Sequence, residues 1–247
     1  YMKNLLVAQS GGPTSAINAT LAGVIENALS SPSVDKIYGS VNGIQGVLNE
    51  NLVDLKTKIT NVSELDLLCQ TPASALGSCR VKLKDPAVCA DEYETIISVL
   101  RKYNINCFIY IGGNDSMDTV DKLSKYLNDK GITDITVVGA PKTIDNDLCG
   151  TDHCPGFGSA AKYIGTTFAE LERDCHVYTT KAVTIVEVMG RDAGWLTAAA
   201  ALAKGEDCVG VDMIYLPEKV FDIDKFMARV KSLSEQGRSM VIAISEG

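Results

Sequence analysis

The sequence predicts an α/β fold with mostly parallel sheets. Three observations predict it. Short, nearly continuous apolar runs alternate with stretches of helical spacing, the pattern of strands buried on both faces. Two of those runs lead into Gly-Gly turns followed by helices, and a third leads into an acidic turn. The chain has 247 residues, 46% apolar and 22% charged, enough for one large α/β domain or two small ones.

Residues 3–8 form the first predicted strand. Gln9-Ser10-Gly11-Gly12-Pro13-Thr14-Ser15 follows, then a predicted helix over 16–29. Glycines admit a ligand close to the backbone, and a helix start offers N–H groups, so this unit is a phosphate-binding candidate. A plain tight turn explains the same residues, and the motif is neither Gly-x-Gly-x-x-Gly nor a Walker loop. Residues 36–41 read as a strand, 42–46 as a turn and 65–69 as one helical turn. A loop of small residues then leads to Gly77-Ser78-Cys79-Arg80. An Arg there suits an anion, because guanidinium grips phosphate through two hydrogen bonds; an exposed loop Arg is the plainer alternative.

A helix is predicted over 91–103 and a strand over 106–111. The strand meets Gly112-Gly113-Asn114-Asp115-Ser116 and a helix running to about 130. Asp115 is a candidate ligand or a helix N-cap. Residues 135–139 form the next strand and run into Pro141-Lys142-Thr143-Ile144-Asp145-Asn146-Asp147. Ligands of open α/β sheets bind at the carboxyl ends of strands. One of the two carboxylates there can take a proton from a hydroxyl while the other helps hold a metal. Lys142 can neutralise a phosphate. The competing reading is an Asx-rich turn.

The loop over 150–158 is the expected domain boundary, dividing the chain into 1–157 and 158–247. A helix over 159–176, a strand over 181–188, the turn Met189-Gly190-Arg191-Asp192-Ala193-Gly194 and a helix to 204 follow. Strands at 209–215 and 240–244 flank a helix over 223–236.

The net charge of −8 disfavours nucleic-acid and anionic-membrane binding. No apolar run approaches the ~18 residues of a membrane span, and no signal core leads the chain. None of the eight cysteines forms a Cys-x-x-Cys pair, so they read as reduced thiols of a cytoplasmic protein. Tyr1 ahead of Met2 reads as an addition to the natural start. The stop at Ser245-Glu246-Gly247, directly after a strand, reads as truncation.

Six motifs in this order resemble the 6-phosphofructokinase family across the whole chain: Gly11-Gly12, Gly77-Ser78-x-Arg80, Gly112-Gly113-Asn114-Asp115-Ser116, residues 141–147, Met189-Gly190-Arg191 and Ser245-Glu246-Gly247. The resemblance implies two stacked three-layer α/β domains, the second incomplete, with a phosphoryl-donor domain over 1–157 and a fructose-6-phosphate domain over 158–247. It implies Asp145 as the base for the sugar's 1-hydroxyl. Asp147 would lie close to that hydroxyl and the metal. Thr143 and the Gly12 N–H would contact the transferring phosphoryl, and Arg80 would bridge it to the donor. Met189, Gly190, Arg191 and Glu246 would line the sugar phosphate.

ATP-using members typically carry Gly where this chain has Asp115 and Lys142. The chain therefore resembles the pyrophosphate-dependent branch, with Lys142 supplying a charge contact to the short donor. The alternatives are an ATP-dependent 6-phosphofructokinase and an inactive fragment that only binds sugar phosphate. Asn114 stands where many members have a metal-binding Asp, which leaves the Mg²⁺ contact to Asp115. Ala182 stands where bacterial ATP-using members have an Arg reaching a neighbouring subunit, and Lys181 is its expected replacement. The family's remaining sugar-phosphate residues would lie beyond Glu246, so the chain alone is expected to be inactive. The resemblance further implies a homo-oligomer, dimer or tetramer.

Overall fold

A computed structural model describes residues 3–247; Tyr1 and Met2 lie outside the described residues. The chain forms two compact units, Tyr1–Thr143 and Ile144–Gly247.

The first unit holds a five-stranded sheet. Its elements are β1 (Lys3–Gln9), α1 (Ile17–Ser30), β2 (Val34–Ser40), α2 (Gly43–Leu48), β3 (Leu52–Asp54), α3 (Val62–Gln70), α4 (Ala90–Lys102), β4 (Ile105–Gly112), α5 (Asn114–Asp129) and β5 (Thr136–Pro141). The strand order is β3-β2-β1-β4-β5. All neighbours are parallel except β3, which pairs antiparallel with β2. Strand alternation sorts the core into two layers. Leu6, Ala8, Phe108 and Tyr110 face one way, against Tyr93, Ile96 and Leu100 of α4 and Leu123 and Leu127 of α5. Leu5, Val7 and Ile111 face the other, against Ile17, Leu21 and Ile25 of α1.

The strand order reverses between β1 and β4, which pair in register from Leu5↔Cys107 to Gln9↔Ile111. That is the switch point where an open α/β sheet leaves a crevice at its carboxyl edge. Both Gly-Gly turns end there.

The second unit comprises α6 (Phe157–Cys175), β6 (Val183–Val188), α7 (Trp195–Ala199), a 3-10 turn (Ala200–Ala203), β7 (Met213–Tyr215), α8 (Ile223–Glu235) and β8 (Met240–Ser245). Its sheet has the order β6-β8-β7, all parallel. Phe168 of α6 and Leu196 of α7 pack with Val188, Val241 and Ala243 on one face. Phe226 and Val230 of α8 pack with Met213, Met240 and Ile242 on the other.

The structure departs from the sequence expectations in several places, among them α3, a nine-residue helix where one turn over 65–69 was expected. Residues 42–46 begin helix α2 instead of forming only a turn; Asn42 and Gly43, both at φ 64°, start it. β3 was not expected; it is a three-residue edge strand. The strand expected over 209–215 shrinks to Met213–Tyr215, because a bridge between Gly205 and Cys208 and the positive φ of Gly210 turn the chain before it. The compact units part between Thr143 and Ile144, and the loop over 150–158 lies within the second. Asn146 ties that loop down: its side-chain oxygen accepts the Cys154 N–H at 2.7 Å, and its amide donates to the Asp152 carbonyl at 3.2 Å.

Candidate functional site

In the first unit the Arg80 loop lies against the glycine turn after β1. The Gly11 N–H donates to the Cys79 carbonyl at 3.1 Å, and the Ser78 hydroxyl donates to the Gly11 carbonyl at 2.5 Å. Gly11 needs its φ of 76°, which side chains rarely adopt. Gly12 is exposed, with no heavy atom within 4 Å of where a Cβ would stand. The side of Gly12 that a Cβ would occupy is therefore open to a ligand.

Gln9, fully buried at the end of β1, anchors the approach to that loop. Its amide donates to the Ile17 carbonyl and Asn18 Oδ1, and its oxygen accepts from the Ser74 hydroxyl and the Leu76 N–H at 2.9 and 2.8 Å. Sequence reasoning passed over Gln9. Its one signal was a polar residue closing an apolar run.

Lys142 follows β5 and is 2% exposed. Its N–H donates to the Gly112 carbonyl at 2.9 Å, and its ammonium donates to the Gly12 carbonyl at 2.8 Å. A Cβ on Gly11 would stand 3.0 Å from that ammonium. The Lys142 side chain thus fills the space over the first glycine turn. Thr143, next in the chain, is also buried.

Asp115 lies in the first turn of α5, but Gly113 is the N-cap, so the capping alternative fails. The Asp115 carboxylate is exposed and pairs with the Lys82 ammonium at 2.8 Å. That hydrogen bond pushes the Lys82 ammonium above its ordinary pKa. Lys82, two residues beyond Arg80, was a cation the sequence reading did not single out. Arg80 is exposed at a cleft of about 200 Å³ that is also lined by Asn42, Gln45, Asn49 and Asn51.

Gly12, Arg80, Lys82 and Lys142 together give the first unit open backbone and several cations, the chemistry that binds phosphate. Among the described residues no group of three or more His, Cys, Asp or Glu can hold a metal. Magnesium needs no such cage: it commonly takes one or two carboxylates and completes its shell with phosphate oxygens and water. The exposed Asp115 carboxylate fits that role, with Lys82 as its competitor.

In the second unit, Asp145 is half-buried and Asp147 exposed, on either side of the buried Asn146. Asn146 adopts a left-handed φ of 57° and makes the two side-chain bonds described above. These bonds reach six and eight residues along the chain, so they brace a longer loop rather than cap a local Asx turn, and they hold the backbone between its acidic neighbours.

Four further expected residues meet at the paired ends of β6 and β8, where Val188 is in register with Ser245. Gly190, at φ 122°, donates its N–H to Glu246 Oε1 at 3.3 Å. Its carbonyl accepts from the Ser245 hydroxyl at 2.5 Å. Met189 and Arg191 on either side are exposed. Glu218, not foreseen, holds the far end of this turn by accepting the Gly194 N–H at 2.7 Å. Lys181, expected to stand in for an Arg, donates to the Ser234 carbonyl at 2.9 Å.

Comparison with known proteins gives one family. The family described as Phosphofructokinase matches residues 4–247. The chain is 45% identical over 246 residues to a pyrophosphate--fructose 6-phosphate 1-phosphotransferase from Xanthomonas campestris pv. campestris, covering 99% of this chain and 58% of the relative. It is 40% identical to the Rhodospirillum rubrum protein of the same name, covering 100% of this chain and 59% of that one. Among solved structures it resembles a pyrophosphate-dependent phosphofructokinase from Nitrosospira multiformis, with TM-score 0.88 and 40% identity, covering 99% of this chain and 60% of that one. The chain therefore spans about three-fifths of the length of these relatives.

Proposed function

The chain belongs to the phosphofructokinase family, and we propose that it carries the donor residues and part of the acceptor residues of a pyrophosphate:fructose-6-phosphate 1-phosphotransferase. The observation that carries the donor half is the buried Lys142 ammonium, 2.8 Å from the Gly12 carbonyl. It fills room that a longer, nucleotide donor would need, and it places a positive charge beside the open Gly12 backbone. Pyrophosphate is short and densely charged, so it gains from such a charge and needs little room. The names of the relatives above support the same donor.

In this reading the Gly12 N–H, Arg80 and Lys142 hold pyrophosphate, and Thr143 contacts the phosphoryl in transit. Asp145 takes the proton from the 1-hydroxyl of fructose 6-phosphate as that oxygen attacks phosphorus. Asp147 lies close to the same hydroxyl and to the metal. Met189, Gly190, Arg191 and Glu246 line the sugar phosphate. Mg²⁺, held by Asp115 and the donor's oxygens, would supply further charge neutralisation. Phosphoryl transfer asks a protein mainly for positioning and charge, and this residue set offers both. The proposal extends to a cytoplasmic homo-oligomer; the free thiols of all eight cysteines support a reducing compartment.

The test is an assay of the full-length protein with fructose 6-phosphate, magnesium and pyrophosphate, with phosphorus NMR to identify products. Phosphorylation at the 1-position with release of inorganic phosphate is expected. Turnover with ATP and none with pyrophosphate would refute the donor assignment.

A further inference from the structure

Beneath the donor turn runs a chain of buried hydroxyls. Tyr110 is 1% exposed, Ser10 2% and Ser116 4%. The Tyr110 oxygen accepts the Ile44 N–H at 3.2 Å, at the start of α2. The Cys79 thiol lies 3.6 Å from it, and the Ser10 hydroxyl lies beside it. The Ser10 hydroxyl in turn bonds that of Ser116, in the first turn of α5.

Each contact belongs to a different segment of the donor side. Ser10 precedes Gly11-Gly12, Cys79 precedes Arg80, and Ser116 follows Asp115. Ile44 lies in the first turn of the helix that borders the cleft beside Arg80. The node is tightly packed: a Cβ on Gly43 would come within 2.6 Å of the Cys79 sulfur and 3.0 Å of the Tyr110 oxygen. Burial pushes the Tyr110 phenol well above its ordinary pKa, so the group stays a neutral hydroxyl.

We propose that Tyr110 is a positioning residue for the phosphoryl donor. Its hydroxyl joins the segments that carry Gly12 and Arg80, and so aims a backbone N–H and a guanidinium at one phosphate. The proposal rests on the donor reading given above. Tyr110 itself would touch neither substrate. A reaction governed by placement is sensitive to such a tie, since small misplacements of reacting groups cost large factors in rate.

The test is Tyr110→Phe, which keeps the ring and removes one oxygen. The kcat/KM for pyrophosphate is expected to fall roughly 10- to 100-fold, with the KM for fructose 6-phosphate unchanged. Cys79→Ala, which removes a second contact of the node, should give a smaller loss in the same direction. In an Arg80→Ala background, Tyr110→Phe should cost no more than about 2-fold, because residues that act through one another do not add. Unchanged pyrophosphate kinetics, an equal rise in the KM of both substrates, or full additivity with Arg80→Ala would overturn the proposal. If the unmodified protein uses ATP instead, the donor reading fails and the same comparison on ATP scores Tyr110. If it turns over neither donor, calorimetry with pyrophosphate decides: a tenfold weaker Kd in Tyr110→Phe supports the role, and an equal Kd overturns it.

Discussion

The ammonium of Lys142 donates a hydrogen bond to the carbonyl of Gly12 at 2.8 Å, across 130 residues of sequence. A nearly buried lysine is costly unless its charge is used or compensated. Here it joins the end of β5 to the glycine turn after β1. Lys142→Met keeps most of the volume and removes the charge. The melting temperature should stay within a few degrees of the parent's, while kcat/KM for pyrophosphate falls at least ~10²-fold, the usual loss for one transition-state contact. Calorimetry and steady-state kinetics on the same preparation check both.

Asp145→Ala should reduce kcat at least ~10²-fold, the ordinary contribution of a general base. The KM for fructose 6-phosphate should move little, because the proton is taken only in the transition state. Full activity in this variant would remove Asp145 as the base.

Gly190 at φ 122° has the Ala193 carbonyl where a Cβ would go. Gly190→Ala should destabilise the fold by about 1–3 kcal/mol, the cost of a side chain in such a conformation. It should also raise the KM for fructose 6-phosphate while leaving the KM for pyrophosphate unchanged. Thermal unfolding and initial-rate kinetics read the two effects separately.

Asp222 caps α8, its carboxylate accepting the Lys225 N–H at 3.0 Å. That backbone bond, followed by the Lys225 ammonium, holds its carboxyl below the ordinary value of 3.8. A depressed acid stabilises the fold fully above its unfolded pKa, and the gain is lost as pH falls through the folded one. Asp222→Ala should therefore lower the melting temperature at pH 7, and the gap should narrow as pH drops below 3.8. A gap that widens in acid would contradict the cap.

Strands β1 and β4 were legible because they are apolar over most of their length, as a strand covered on both faces requires; β5 carries the same apolar run although it is a half-exposed edge strand. The small residues at their carboxyl ends then marked the site. Helix α2 was hidden because Asn42, Gly43 and Gly46 look like turn residues; its start uses left-handed backbone that Asn and Gly alone adopt easily. β3 was too short to show a period. The reach of Lys142 to Gly12, the Gln9 network and the Tyr110 node were illegible for one shared reason. Each depends on where a side chain ends up in three dimensions, and spacing along the chain does not encode that. Asp115 was recognised as a candidate, but its partner Lys82 was not, because a lysine on a loop carries no local pattern.

The most direct measurement of the donor assignment is kcat/KM for pyrophosphate and for ATP in the parent protein and in the double variant Lys142→Gly with Asp115→Gly. The parent should use pyrophosphate, and the double variant should lose at least ~10²-fold of that activity while its ATP activity does not fall. Pyrophosphate kinetics that survive both changes intact would show that neither side chain faces the donor, and the assignment would fall with them.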